Sequence, residues 1–124
     1  MGAAYTDLYL DQGADFSTTF DLIGDDGTPI NITGYAFSSQ IRKSYYSTNA
    51  AANLVVTTVD ASNGNTIISL DAANTSNIFP VRYLYDVKMI DSSNTTTRIL
   101  EGIITVTPGV TRGSAPVYNY NNNV

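Results

Sequence analysis

The sequence predicts an all-β domain, an antiparallel β-sandwich of about seven strands. Asn, Thr, Ser and Gly are abundant and helix-forming runs are absent, a composition typical of strands joined by tight turns. Apolar and polar residues alternate in several segments, as in strands with one buried face. Turn signals recur at the spacing expected of a sandwich, with a closed barrel as the alternative architecture.

The first third of the chain predicts three strands. Residues 6–12 alternate, with Leu8 and Leu10 on one face. Residues 14–23 alternate over a longer span and place these side chains on one face: Phe16, Thr18, Phe20 and Leu22. The Asp-Gly and Pro of residues 24–29 predict a turn. Residues 30–43 then predict an extended piece and a strand with Tyr35, Phe37 and Ile41 on one side.

The middle of the chain predicts a loop and a hairpin. Residues 44–52 have no strand pattern and predict a loop, and residues 53–59 are rich in Val and Thr. Asn63-Gly64 follows, which is a strong hairpin signal, and residues 66–70 predict the return strand. Asp71 is placed to cap one helical turn that ends before Pro80. We expect residues 71–80 to cross between the sheets, with Ile78 and Phe79 plugging the underside.

The last two strands predict a terminal hairpin. Residues 81–90 alternate, with Tyr83, Tyr85, Val87 and Met89 on one face, and residues 91–95 predict a turn. Residues 96–107 form the final strand, in which Gly102 marks a bulge or a close approach of two backbones. The sandwich is therefore expected to span residues 1–107. Alternation stops there, and residues 108–124 predict an extended C-terminal tail that is free to dock.

Composition restricts the chemistry that the chain can perform. It has no Cys and no His, so it lacks thiol chemistry and the commonest general base and metal ligand. The net charge is -5, and no basic face indicates nucleic acid. No apolar run reaches the ~18 residues of a membrane span. We therefore expect no enzyme activity, no cofactor, no required metal, no nucleic acid and no membrane partner.

Two acidic groups remain as alternatives to be tested. Asp21, Asp25 and Asp26 surround a turn, where carboxylates either hold Ca²⁺ or only perform hairpin chemistry. Asp86 and Glu101 fall on predicted neighbouring strands. Two such carboxylates either do acid–base work on a sugar or form cross-strand charge pairs with the nearby bases, which are Lys88 and Arg98.

The chain contains nine tyrosines, which suit contacts with protein or carbohydrate. Three of them, Tyr35, Tyr83 and Tyr85, fall at alternating strand positions and predict packing in the sheet. The candidate partner-contact residues are the pair in the predicted loop and the pair in the tail: Tyr45, Tyr46, Tyr118 and Tyr120.

Three segments carry a resemblance to a known family: "LDQGADFSTTFDL", "GTPINITGYAFSSQIRKS" and "YLYDVKMIDSSNTTTRILEGIITVTPGVTR". The motif residues are Gln12, Gly13, Phe16, Gly27, Pro29, Thr33, Gly34, Tyr35, Tyr85, Asp86, Arg98, Glu101, Gly102, Pro108, Val110, Thr111 and Arg112. With this pattern the chain resembles small virion structural proteins of tailed, cyanophage-like bacteriophages. The first domains of some phage baseplate proteins are also similar.

The resemblance implies an immunoglobulin-like sandwich built into a virion. It favours a non-enzymatic tail- or baseplate-associated subunit whose partners are other virion proteins, including the major capsid protein, or copies of itself. Two alternatives stay open. One is a capsid decoration protein, and the other is a carbohydrate-binding module for host adhesion. An exposed row of tyrosines over a shallow groove would favour the module.

Overall fold

The computed structural model describes residues 3–110 of the chain, which form nine strands, one helical turn and one 3-10 turn. The strands are β1 (Ala4–Tyr5), β2 (Leu8–Asp11), β3 (Phe16–Asp21), β4 (Ala36–Arg42), β5 (Ala52–Asn53), β6 (Val55–Asp60), β7 (Asn65–Leu70), β8 (Arg82–Ile90) and β9 (Thr96–Thr107). The 3-10 turn covers Ala61–Asn63, and α1 is Ala72–Thr75. Two of the strands, β1 and β5, have only two residues and add to the seven that alternation predicts.

Two sheets pack face to face. The larger has six strands in the order β1-β9-β8-β4-β5, with β2 also paired to β9, and the smaller has the order β3-β7-β6. The strands pair antiparallel except β1 and β2, which run parallel to β9. Two sheets packed in this way form a β-sandwich, so the predicted all-β sandwich is confirmed.

The core lies between the sheets and follows the predicted alternation. In β8 the buried face contains Tyr83, Tyr85, Val87 and Met89. The Tyr83 hydroxyl donates a hydrogen bond of 2.7 Å to the Phe79 carbonyl oxygen, a corner contact common in immunoglobulin-like domains. In β3 the inward face contains Phe16, Thr18 and Phe20, which are only partly buried.

The predicted crossing between the sheets is confirmed. Asp71 caps α1, and its side chain accepts a hydrogen bond of 3.0 Å from the Asn74 N–H. Ile78 is buried as expected, but the expectation for Phe79 is wrong, because its side chain is 62% exposed. Ile78 takes the inward position in this short link, and the side chain of the next residue points to solvent.

The predicted hairpin between β6 and β7 is confirmed, but its turn is not a two-residue Asn-Gly turn. The chain makes the 3-10 turn first, and Gly64 then closes it with φ 65°. The backbone of Asn63 does not adopt the positive φ that a two-residue turn requires. Its side chain donates a hydrogen bond of 2.8 Å back to the Asp60 carboxylate. The extra length fits the register shift between Thr58 and Asp60.

Gly102 is a close-approach site, as the sequence predicts, and the bulge lies elsewhere. A Cβ atom at Gly102 would lie 2.1 Å from the Thr6 carbonyl oxygen. The register between β8 and β9 shifts beside Val87, so Ile99 is the extra residue. The absence of a side chain at Gly102 therefore lets the link between β1 and β2 lie on β9.

The final strand ends at Thr107, where the predicted tail begins. Of the tail, only residues 108–110 are described. Residues 111–124, with Tyr118 and Tyr120, lie outside the described residues. In residues 3–110 no helix is long and apolar enough to span a membrane.

Candidate protein-contact surface

The outward side of the six-stranded sheet carries a shallow groove of about 420 Å³. We call this side the outer face. Its groove is lined by Tyr5, Gln40, Arg42, Ser44, Tyr45, Leu84, Tyr85, Asp86, Lys88, Arg98, Glu101, Gly102 and Ile103. Most of these residues are the outward-facing ones of β4, β8 and β9, because every second residue of a strand points away from the core. Tyr85 also lines the groove, although it lies on the buried face of β8.

Strand register arranges the outer face in rows. One row runs across the whole sheet through Tyr5, Glu101, Asp86, Gln40 and Asn53, each directly opposite the next. A second row pairs Ser38 with Lys88 and Lys88 with Arg98. A third row pairs Arg42 with Leu84 and Leu84 with Ile103. The groove therefore has an acidic row flanked by a basic row and by a partly apolar row.

Arg98 holds the two acids of the acidic row together. Its guanidinium lies 3.5 Å from an Asp86 carboxylate oxygen and 3.4 Å from a Glu101 oxygen. The charge-pair alternative for Asp86 and Glu101 is thus what the structure contains, with Arg98 as the partner. Lys88, which was expected to share this role, makes no ion pair within residues 3–110. Lys88 lies directly opposite Arg98 in the sheet, and the guanidinium of Arg98 pairs with the two acids.

Arg42 fixes the loop that carries the candidate tyrosines. Its guanidinium donates hydrogen bonds of 2.9 Å to the Ser47 carbonyl oxygen and 2.9 Å to the Gln40 side-chain oxygen. A further hydrogen bond joins Ser44 N–H to the Ser47 hydroxyl at 3.0 Å. These contacts hold the loop of residues 43–51 against β4.

The loop tyrosines are exposed, as predicted for partner contacts, but they occupy different places. Tyr45 is 76% exposed and lines the groove, whereas Tyr46 is 94% exposed and is not among the groove residues. Tyr5 is 63% exposed and lines the same groove. The structure therefore brings Tyr45 together with Tyr5, which the sequence did not single out. The predicted contacts Tyr118 and Tyr120 lie outside the described residues.

Two tyrosines near the β1 end of the groove have raised pKa values. For Tyr5, partial loss of hydration raises the pKa first, and the hydrogen bond to Asp7 and the Asp7 charge add to it. Burial raises the pKa of Tyr85 to about 12, with smaller contributions from Asp7 and Tyr5. The Tyr85 hydroxyl donates a hydrogen bond of 2.5 Å to the Thr6 carbonyl oxygen, which requires its proton. Tyr85 therefore links the groove to the β1–β2 backbone.

Of the three acids predicted around the first turn, Asp26 stabilises the turn itself and Asp21 bonds across the strand pair β3–β7. One Asp26 oxygen accepts hydrogen bonds from the Thr28 N–H at 3.0 Å and the Thr28 hydroxyl at 2.7 Å, and these bonds lower the Asp26 pKa. Asp21 accepts a hydrogen bond of 2.6 Å from the Asn65 side chain. Within residues 3–110 no three acidic side chains come together as a group that could hold a metal ion.

The motif residues fall into structural and surface groups. The buried Gln12 side chain donates a hydrogen bond of 3.0 Å to the Ile78 carbonyl oxygen, so it joins the end of β2 to the crossing. Three others, Asp86, Arg98 and Glu101, form the charged cluster of the outer face.

Comparison of the sequence with models of protein families and with curated proteins gave no match. The features of residues 3–110 that indicate a function are therefore these motif residues and the outer face.

Proposed function

We propose that this chain is a non-enzymatic structural protein of a tailed-phage virion that assembles through protein–protein contacts of its outer face. We favour a tail- or baseplate-associated subunit, with other virion proteins or copies of this chain as partners. One observation carries the contact function: exposed Tyr5 and Tyr45 line one groove together with the Asp86–Arg98–Glu101 cluster. The virion setting is supported by the resemblance of the motif residues.

The chemistry of the groove suits a protein partner. Tyrosine and arginine are enriched at interface hot spots, because each offers a large contact area and a polar tip. The charged cluster is partly exposed, with side-chain exposures of 49% for Arg98 and 32% for Asp86. Such charges contribute little stability to the free domain and more to the orientation and selectivity of an encounter.

The groove is also built on rigid elements. Four of its strand segments belong to one hydrogen-bonded sheet, and Arg42 holds the Tyr45 loop against β4. A surface that is ordered before binding loses less conformational entropy in the complex. This arrangement serves a permanent assembly contact in a tail, a baseplate or, as the alternative site, a capsid surface.

A carbohydrate-binding module for host adhesion is the second candidate. The observation that favours it is the pair of exposed tyrosines over a shallow groove, since aromatic faces stack on sugars. Gln40, Asp86 and Glu101 lie on the groove floor and could accept hydrogen bonds from sugar hydroxyls. The two candidates therefore use the same surface and differ in the partner.

The test compares Tyr45→Ala with Tyr46→Ala in particles of the phage that encodes the chain. The two tyrosines are neighbours and both are exposed, but only Tyr45 lines the groove. We expect Tyr45→Ala to lower the occupancy of the protein in purified particles at least tenfold, because losing a hot-spot contact costs about 1.4 kcal/mol or more. Tyr46→Ala should leave occupancy close to that of the unmodified protein.

The control measurements separate the two candidates. Both variants should retain the melting temperature of the parent, which shows that any loss is a contact effect. Equal occupancy of all three proteins would contradict assembly through the groove. If occupancy is equal and a glycan array shows binding that Tyr45→Ala abolishes, the carbohydrate-binding function replaces the assembly function.

A further inference from the structure

The smaller sheet has an edge strand, β3, whose central residues lack the features that usually prevent pairing with a strand of another chain. Within residues 3–110, β3 pairs with β7 and with no other strand, because β1 and β2 pair with β9. In many immunoglobulin-like domains a fourth strand lies beside the strand equivalent to β3. Ser17–Phe20 contains no charge, Pro or Gly, and its register has no bulge. The opposite edge strand, β6, has a register shift before Asp60, a common way to block an added strand.

A groove runs along the same edge. It measures about 360 Å³ and is lined by Asp7, Leu8, Tyr9, Asp11, Asp15, Phe16, Ser17 and Thr18, which come from both sheets. We call it the side groove. Phe16 and Thr18 point inward but remain partly exposed, whereas their β7 partners, Leu70 and Ile68, are buried. The sandwich is therefore open between β2 and β3.

The rim of the side groove selects against acidic segments. Three carboxylates line it: Asp7, Asp11 and Asp15. Asp11 accepts a hydrogen bond of 2.6 Å from the Thr107 hydroxyl, and Asp15 accepts one of 2.7 Å from the Ala72 N–H, so two of them are held in place. An extended segment that enters this groove should be neutral or basic and should supply apolar area toward Phe16.

Residues 108–124 have this chemistry. None of the eleven acidic side chains of the chain lies beyond Glu101, and Arg112 is the single charged side chain of this stretch. The residues from Val117 onward read Val-Tyr-Asn-Tyr-Asn, so a strand there would place Tyr118 and Tyr120 on one face. Residues 117–124, the eight that follow Pro116, are enough on their own to span the six residues of β3.

We propose that residues 113–124 of a second copy add to β3 as an antiparallel strand, with Tyr118 and Tyr120 facing the side groove. The proposal goes beyond the outer-face contacts, because it adds a second assembly surface and names its partner. Strand addition of this kind gains main-chain hydrogen bonds along the edge and side-chain contacts at alternate positions.

The position of the last described residues favours a second copy over the same chain. β9 ends level with Asp11, and the Gly109 N–H lies 3.4 Å from the Gln12 side-chain oxygen, close to where β3 begins. A chain that continues directly from that point runs along β3 in the parallel direction. Antiparallel pairing, which both pairs of the smaller sheet use, is slightly more stable and requires a segment that enters from the other end.

Disulfide trapping tests the proposal directly, because the chain has no Cys. A chain with Ser17→Cys is mixed with a chain with Asn119→Cys, and the mixture is oxidised under mild conditions. Asn121→Cys replaces Asn119→Cys to cover a two-residue change of register. The matched control puts Thr57→Cys, an exposed position of β6, in place of Ser17→Cys. We expect a linked heterodimer with Ser17→Cys at least tenfold more abundant than with Thr57→Cys.

Other outcomes overturn the proposal. Equal heterodimer yields with Ser17→Cys and with Thr57→Cys would show that the disulfide forms by random collision and not through strand addition to β3. A single chain with both Ser17→Cys and Asn119→Cys that links internally, without heterodimers in the mixture, assigns the groove to the same chain. Absence of both products excludes the edge altogether.

A peptide experiment provides the second measurement. The full chain is shortened to end at Arg112, and a labelled peptide of residues 113–124 is titrated with it by fluorescence anisotropy. We expect saturable binding that a scrambled peptide does not show, and equal signals from the two peptides contradict the proposal. If the peptide fails to bind but Tyr45→Ala still lowers particle occupancy, the strand proposal fails and the outer-face function stands.

Discussion

Replacing Gly102 by Ala should destabilise the domain, because β9 has no room for a side chain at this position. The added Cβ atom would lie 2.1 Å from the Thr6 carbonyl oxygen, 2.8 Å from the Thr6 carbonyl carbon and 3.2 Å from the Tyr85 ring. Two of these atoms belong to the backbone and cannot rotate away. The link between β1 and β2 must therefore move off β9.

The magnitude follows from the contacts that this movement breaks. The Thr6 N–H donates to the Glu101 carbonyl oxygen at 2.9 Å, and the Tyr85 hydroxyl donates to the Thr6 carbonyl oxygen at 2.5 Å. Each hydrogen bond contributes about 1 kcal/mol, and crowding of the Tyr85 ring adds about 1 kcal/mol. The expected loss is about 3 kcal/mol in the free energy of unfolding, or roughly 10–20 °C in Tm for a domain of this size.

Urea and thermal unfolding of Gly102→Ala measure this loss, with Gly34→Ala as the control. Gly34 has φ +81° and nothing within 4 Å of an added Cβ, so the control contains the backbone penalty without a clash. That penalty is about 1 kcal/mol after the lower entropy of the unfolded chain is included. A loss at Gly102 equal to or below that at Gly34 would refute the close-approach account. A loss of β1 contacts also moves Tyr5, so Gly102→Ala should weaken partner binding.

Three further predictions concern single side chains. Burial raises the folded-state pKa of Tyr85 from its ordinary value of 10.0 to about 12, so the stability that its proton provides is full only well below pH 10 and is lost as pH rises from 10 through about 12. The free energy of unfolding, measured in urea at pH 9 and 11, should fall less between these pH values in Tyr85→Phe than in the parent. Tyr46→Phe should show the same fall as the parent. Asp71→Ala removes the α1 cap and should lower stability by about 1 kcal/mol, while Asp71→Asn restores most of it. Arg98→Ala should change thermal stability by less than about 1 kcal/mol, because its ion pairs are partly exposed, yet it should reduce particle occupancy.

Local sequence signals were sufficient for most of the fold. Alternation in residues 14–23 and 81–90 placed the inward faces of β3 and β8 correctly, because each strand has one buried side. Asp71 was identified as a cap from its position before a short non-alternating stretch. The prediction for Phe79 is wrong because the link before Pro80 has no regular alternation of apolar and polar residues that would indicate which side chains face the core.

The candidate site could be predicted only in part, because it depends on long-range register. Tyr45 was found from its place in a loop between strands, but Tyr5 was not. Tyr5 lies in the groove because β1 pairs with β9, almost a hundred residues later in the chain, and that pairing depends on Gly102. No local pattern around residue 5 contains this information, since the strand is interrupted at Thr6 and Asp7.

A cryo-electron microscopy reconstruction of the intact particle tests whether the chain assembles into a virion through its outer face. We expect the sandwich to occupy defined density in the virion, with Tyr5 and Tyr45 of the outer face buried against a neighbouring protein. Density for the sandwich with both tyrosines facing solvent, and no protein over the groove, would contradict assembly through this surface. Absence of the chain from purified particles would contradict the virion function itself.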